Sequence, residues 1–113
     1  MSREMVEEAK KRLEPEDRIQ KSYAARHNGV SGYFLMSKKR LLFIEEKGFL
    51  QKRYYLILDV PYEKITGITA EDSRELTIVE VGDKKHSFTS FDISSLLVEA
   101  DIKNLIGGTM ITA

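Results

Sequence analysis

No cysteine occurs in this chain. That excludes a disulfide framework, thiolate zinc sites and cysteine nucleophiles, and it fits a reducing compartment. Net charge is absent as well, because 18 Lys and Arg balance 18 Asp and Glu. A general nucleic-acid binder carries an excess of positive charge to meet phosphate, so nucleic acid is not an expected partner. No apolar run approaches the roughly 20 residues needed to span a bilayer. The first residues are charged from Arg3 onward and contain no apolar signal core. The expected location is the cytoplasm, with peripheral attachment to a membrane as the further option. Asn and Gln are scarce (Asn28, Asn104, Gln20, Gln51) while charged residues reach 32%, a bias shared with proteins of heat-loving organisms.

The residues of catalysis are equally thin. Histidine is limited to His27 and His86, and neither sits in a His-x-x-x-His or His-x-x-Glu pattern that would set metal ligands on one helical face. His27 falls in a predicted turn and is expected to be exposed; His86 alternates with Phe88 and is expected in a sheet wall. There is no glycine-rich phosphate loop, and Ser94-Ser95 follows no nucleophile-elbow pattern. No pair of carboxylates is set apart by an apolar environment that would split its pKa values. No catalytic residue, metal site or cofactor is expected, and the chain does not read as an enzyme.

What is present is a single domain's worth of short elements. At 113 residues roughly two-thirds of the unfolded surface can be buried, which suffices for one core without staples. Residues 1–14 read as an N-terminal helix, capped by Ser2, with Met5, Val6, Ala9 and Leu13 in an apolar stripe. Glu7 with Lys11 and Glu8 with Arg12 are i,i+4 pairs, and Pro15 stops the helix. From Arg18 the pattern becomes strands separated by turn residues. The expected strands are Ile19–Ala25, Gly32–Met36, Arg40–Glu46, Arg53–Val60, Lys64–Ala70, Leu76–Val81 and Lys85–Thr89. His27-Asn28-Gly29, Ser37-Lys38-Lys39, Glu71-Asp72-Ser73 and Gly82-Asp83-Lys84 read as turns. Seven closely spaced strands without intervening helices imply an antiparallel barrel or sandwich.

Residues 92–106 return to helical spacing, with Asp92 or Ser94 as cap and Gly107-Gly108 as stop. This helix is apolar on two faces. Ile93, Leu96, Leu97 and Ala100 share one; Val98, Ile102, Leu105 and Ile106 share nearly the opposite one. One face can plug a barrel and the other must be covered by the N-terminal helix, a second subunit or a partner. The expectation assigns Val98, Ile102, Leu105 and Ile106 to a partner or a second subunit.

Three local patterns, in order, resemble a known family. Leu13-Glu14-Pro15-Glu16-Asp17-Arg18-Ile19 is similar to an L-x-P-x-E-x-I lead-in. Ser37-Lys38-Lys39-Arg40-Leu41 is similar to a Thr/Ser-x-x-Arg-Leu turn. Val60-Pro61-Tyr62-Glu63-Lys64-Ile65 is similar to an Ile/Val-Pro-Tyr run leading to an Ile. Together with seven strands and one C-terminal helix they resemble the prokaryotic pleckstrin-homology-like and GRAM-like domains. The resemblance implies a mainly β domain over residues 15–113, a seven-stranded antiparallel barrel or sandwich closed by the C-terminal helix, with the N-terminal helix as an addition. It implies binding rather than catalysis. The C-terminal helix lacks the tryptophan usual in the eukaryotic family. Lys21 fits the first part of the eukaryotic phosphoinositide motif, but Gly32–Met36 carries no basic residue for the second.

The binding candidates lie in the loop Lys47-Gly48-Phe49-Leu50-Gln51-Lys52-Arg53, two large apolar residues flanked by basic ones. The resemblance places this loop at one end of the barrel with two other turns, so that Arg26, Lys47, Phe49, Leu50, Lys52, Lys84 and Lys85 share that end. Such a surface suits a protein hot spot or self-association. The second reading is an anionic membrane surface, with Phe49 and Leu50 inserted and the cations at the headgroups. The third is a carrier holding an apolar small ligand inside the barrel. Folding back of Phe49 and Leu50 to close the barrel mouth is the structural alternative.

Overall fold

The computed structural model describes residues 3–70 and 72–110, with the backbone alone for 107–110. Helix α1 spans Arg3–Lys10. The strands are β1 Ile19–His27, β2 Val30–Ser37, β3 Arg40–Lys47, β4 Arg53–Pro61, β5 Ile65–Thr69, β6 Glu75–Glu80 and β7 Lys84–Thr89. A 3-10 turn, Tyr62–Lys64, joins β4 to β5, and helix α2 spans Ser95–Met110. Every strand lies within two residues of its expected bounds.

All pairings are antiparallel, and the order is β4-β3-β2-β1-β7-β6-β5. β1 carries the closure. It pairs with β2 along its length and with β7 only at Arg26↔Thr89 and His27↔Phe88. The interior is one cluster in which Phe34, Met36, Leu41, Phe43, Leu76, Ile78, Phe88, Val98 and Ile102 are fully buried. Alternation along β2 and β3 sends Leu35, Leu42 and Ile44 to the other face of the sheet, where they would meet water. Met5 and Ala9 of α1 cover them in a second cluster. The N-terminal helix is thus the lid of the outer sheet face.

Two helix ends differ from expectation. α1 ends at Lys10, four residues before Glu14, so Lys11 and Arg12 no longer hold helical i+4 positions; Glu8 pairs with Lys11 at 2.7 Å and Glu7 with Arg3 at 3.7 Å. The Ser2 cap lies outside the described residues. α2 runs through Gly107-Gly108 to Met110, since glycine in a helix costs only about 1 kcal/mol and does not by itself stop one. Its cap is Ser94, whose carbonyl accepts the Leu97 and Val98 amides and whose Oγ accepts that of Leu96.

The three motifs that carry the resemblance meet at one structural node. The Asp17 carboxylate accepts the Arg18 amide, the Lys38 amide and the Ser37 hydroxyl at 2.7–2.8 Å. The Tyr62 hydroxyl donates to the Ser37 carbonyl at 2.6 Å. Burial, with the Asp17 charge adding to it, pushes the Tyr62 phenol far up from its ordinary pKa. The basic run beside it is not a free turn: Lys39 reaches Glu14 at 2.7 Å, and Arg40 holds Asp59 by both oxygens. Asp17→Ala would leave three buried or half-buried donors without their acceptor. A loss of about 2–3 kcal/mol is expected, measured by urea unfolding; a loss below 0.5 kcal/mol would show that the node holds nothing together.

Candidate functional site

The end of the barrel opposite this node is built from three tight connections. Asn28 and Gly29, both at positive φ (53° and 78°), turn β1 into β2. Gly82 and Asp83, at 89° and 59°, turn β6 into β7. The β3–β4 loop depends on Gly48 at φ 104°, where a Cβ would sit 2.2 Å from the Gln51 carbonyl oxygen. The registers set these connections on one side. β3 continues past Gly32↔Glu45 alongside the first residues of β2, and β7 begins beyond the last residue of β1.

Phe49 and Leu50 do not fold back over the mouth. They are 92% and 94% exposed, because the Gly48 turn throws them outward. Below them Tyr54 and Leu56 of β4 pack against the α1 cluster, while the alternating Tyr55 and Ile57 remain partly exposed. Val81, at the β6–β7 turn, is exposed too. The mouth therefore carries exposed apolar side chains among its charged ones.

Its cations are unequally committed. Lys52 donates to Glu46 at 3.1 Å, and Lys47 lies 3.8 Å from Glu45 and 5.9 Å from the centre of the Tyr55 ring. Glu46 also accepts the Tyr54 and Tyr33 hydroxyls. Partial burial works to raise the Glu46 pKa, but the hydrogen bonds from Lys52, Tyr54 and Tyr33 outweigh it and hold the carboxyl below its usual range. The same bond to Glu46 raises the Lys52 pKa. Arg26 donates to the Ser31 hydroxyl at 3.2 Å. Lys84 and Lys85 are exposed.

One expectation is corrected at this end. His27 is not an exposed turn residue but is only 8% exposed, because β1 runs two residues further and Tyr23, Ala25 and His27 alternate inward. Its ring stacks on Phe88 at 4.8 Å, and Nδ1 lies 3.0 Å from the Ser87 carbonyl oxygen. Large side chains, Phe34, Phe43 and Phe88 among them, pack in the interior that the third reading assigned to a ligand. His86 does sit in the wall, its Nε2 3.0 Å from a Glu80 carboxylate oxygen. Among the described residues no group of three or more His, Asp or Glu is placed to hold a metal ion.

The α2 assignment is reversed. Val98 and Ile102 are fully buried, and Leu105 and Ile106 pack against the same core. That face plugs the barrel. Ile93, Leu96 and Leu97 are the exposed set. The orientation is fixed on both flanks: the Tyr23 hydroxyl donates to Asp101, and Glu99 accepts the Ala70 amide at 2.8 Å. These acidic residues bracket the buried stripe, and they are the sequence signal that could have identified it.

No family model and no curated protein matches the chain. Solved structures do. A pleckstrin homology domain from Shewanella amazonensis SB2B superposes with a TM-score of 0.60 at 18% identity, covering 89% of this chain and 94% of that one. The C-terminal domain of an unknown protein from Leishmania infantum gives 0.59 at 13% identity, covering 80% and 85%. The fold, seven antiparallel strands with a C-terminal and an N-terminal helix, is pleckstrin-homology-like.

Proposed function

We propose that this domain is a non-catalytic interaction module that docks a protein partner through the Phe49–Leu50 tip. The observation that supports it is the near-complete exposure of both side chains on a loop that a glycine locks outward. A monomer gains nothing from holding two large apolar residues in water, whereas a contact of this kind becomes favourable once a partner desolvates it. The pairing of Lys47 with Glu45 and of Lys52 with Glu46 leaves little uncompensated positive charge beside the tip. That favours a protein surface over anionic headgroups. Arg26, Lys84 and Lys85 on the neighbouring turns support the membrane surface as the second reading.

Phe49→Asp/Leu50→Asp is expected to leave the melting temperature within about 2 °C, because neither residue is buried. A photo-crosslinking residue at position 50, used in cells, is expected to give one discrete protein adduct that Phe49→Asp removes. An adduct of twice the chain mass identifies the partner as a second copy. Failure to crosslink, together with salt-sensitive sedimentation of the native protein on phosphatidylserine vesicles, would replace the protein reading by the membrane one.

A further inference from the structure

A second site, independent of the tip, lies where α1 unwinds. After Lys10 the chain leaves the helix through two backbone bonds, Arg12 to the Ala9 carbonyl and Leu13 to the Lys10 carbonyl, and then swings out to enter β1 at Ile19. The detour leaves a cleft of about 580 Å³ between α1 and the β1 lead-in. Its apolar lining is Val6, Leu13 and Ile19, each half-buried, with Pro15 beside them. The volume falls in the range of roughly 300–1,000 Å³ typical of small-molecule sites.

Two cations and two carboxylates border it, and they differ in what they engage. Glu14 and Asp17 both border the cleft, but each is engaged elsewhere: Glu14 by the Lys39 ammonium at 2.7 Å, Asp17 by Ser37, Lys38 and Arg18 backbone or hydroxyl donors. Lys10 and Arg18 also border it, and neither side chain has an ion pair or hydrogen bond among the described residues. Two unengaged cations beside an apolar cleft are complementary to an anion with an apolar body. The arginine fork matches a carboxylate in particular.

We propose that this cleft binds a small aliphatic carboxylate, its chain against Val6, Leu13 and Ile19 and its head between Lys10 and Arg18. The test is a methyl-resolved NMR titration of the intact protein with sodium decanoate below its micelle concentration. Parallel titrations use 1-decanol and sodium acetate. Saturable shifts at Val6, Leu13 and Ile19 are expected with decanoate, at least about fivefold weaker binding of decanol, and none with acetate. Lys10→Gln/Arg18→Gln, at two exposed positions, is expected to keep the fold and weaken decanoate binding about tenfold or more. Three results would overturn the proposal: no saturable shift, equal binding of decanol, or undiminished binding by the double variant. Shifts confined to Leu50 and its neighbours would do so as well, and would point back to the tip. Because the tip variants leave this cleft untouched, failure at one site leaves the other standing.

Discussion

Phe88→Ala is expected to lower the free energy of unfolding by about 3–5 kcal/mol, a large share of the roughly 5–15 kcal/mol that a domain of this size holds. Phe88 is fully buried at the joint that closes the barrel. It meets Phe34 edge-on at 4.8 Å, stacks on His27 at 4.8 Å and lies 5.8 Å from Phe43. β1 and β7 share only two paired positions, and His27↔Phe88 is one of them. Removing the ring takes away the transfer energy of a large apolar group and leaves a cavity whose walls are rings and strand backbone, which collapse poorly. It also strips the face of His27 that the ring shields. Urea unfolding should show a lower midpoint at nearly unchanged slope, and the melting temperature should fall by roughly 15 °C or more. Phe88→Leu should recover most of the loss, since it restores volume without the ring contacts. A cost under 1 kcal/mol for the alanine variant would mean that the joint is held by backbone pairing alone.

Much of this architecture was legible because strands and turns speak locally. Period-two alternation between residues that permit positive φ located all seven strands, and Asn28, Gly29 and Gly82 adopt the conformations their types suggest. What was not legible depended on a second element arriving from elsewhere. β2 and β3 are apolar on both faces, Phe34 and Met36 on one and Tyr33 and Leu35 on the other. Such a strand pair requires cover on both sides, and that requirement, rather than any property of residues 3–10, explains where α1 docks. Gly32 read as a strand start. Its ordinary backbone conceals the true constraint, a Cβ that would meet the Ile44 carbonyl oxygen at 2.1 Å. A glycine inside a strand marks close backbone approach more often than flexibility. At the candidate site, sequence picked out the Phe49–Leu50 tip but not how Glu45 and Glu46 engage its lysines. That pairing depends on the register between β3 and β4 and on side-chain reach.

The hardest ambiguity was α2, whose two faces are almost equally apolar, and a pair of substitutions resolves it in solution. Ile102→Asp and Leu97→Asp introduce the same carboxylate into the same helix five residues apart. At position 102 it would enter a fully buried site among Phe34, Phe88 and Val98, with no cation in the core cluster to receive it. Either the helix undocks or the acid stays protonated at the expense of its hydration, and a cost above about 4 kcal/mol is expected. At position 97, 58% exposed and in the first turn of the helix, the carboxylate stays in water and lies near the positive end of the helix dipole. The expected change there is within about 1 kcal/mol, of either sign. Far-UV circular dichroism with urea titration reads both. A folded, soluble Ile102→Asp monomer would return that face to the surface, where sequence alone had put it. Loss of folding at 102 with tolerance at 97 would establish that the helix is the plug. The exposed Leu96 and Leu97 of α2, with Ile93 just before the helix, would then be an apolar surface open to another molecule.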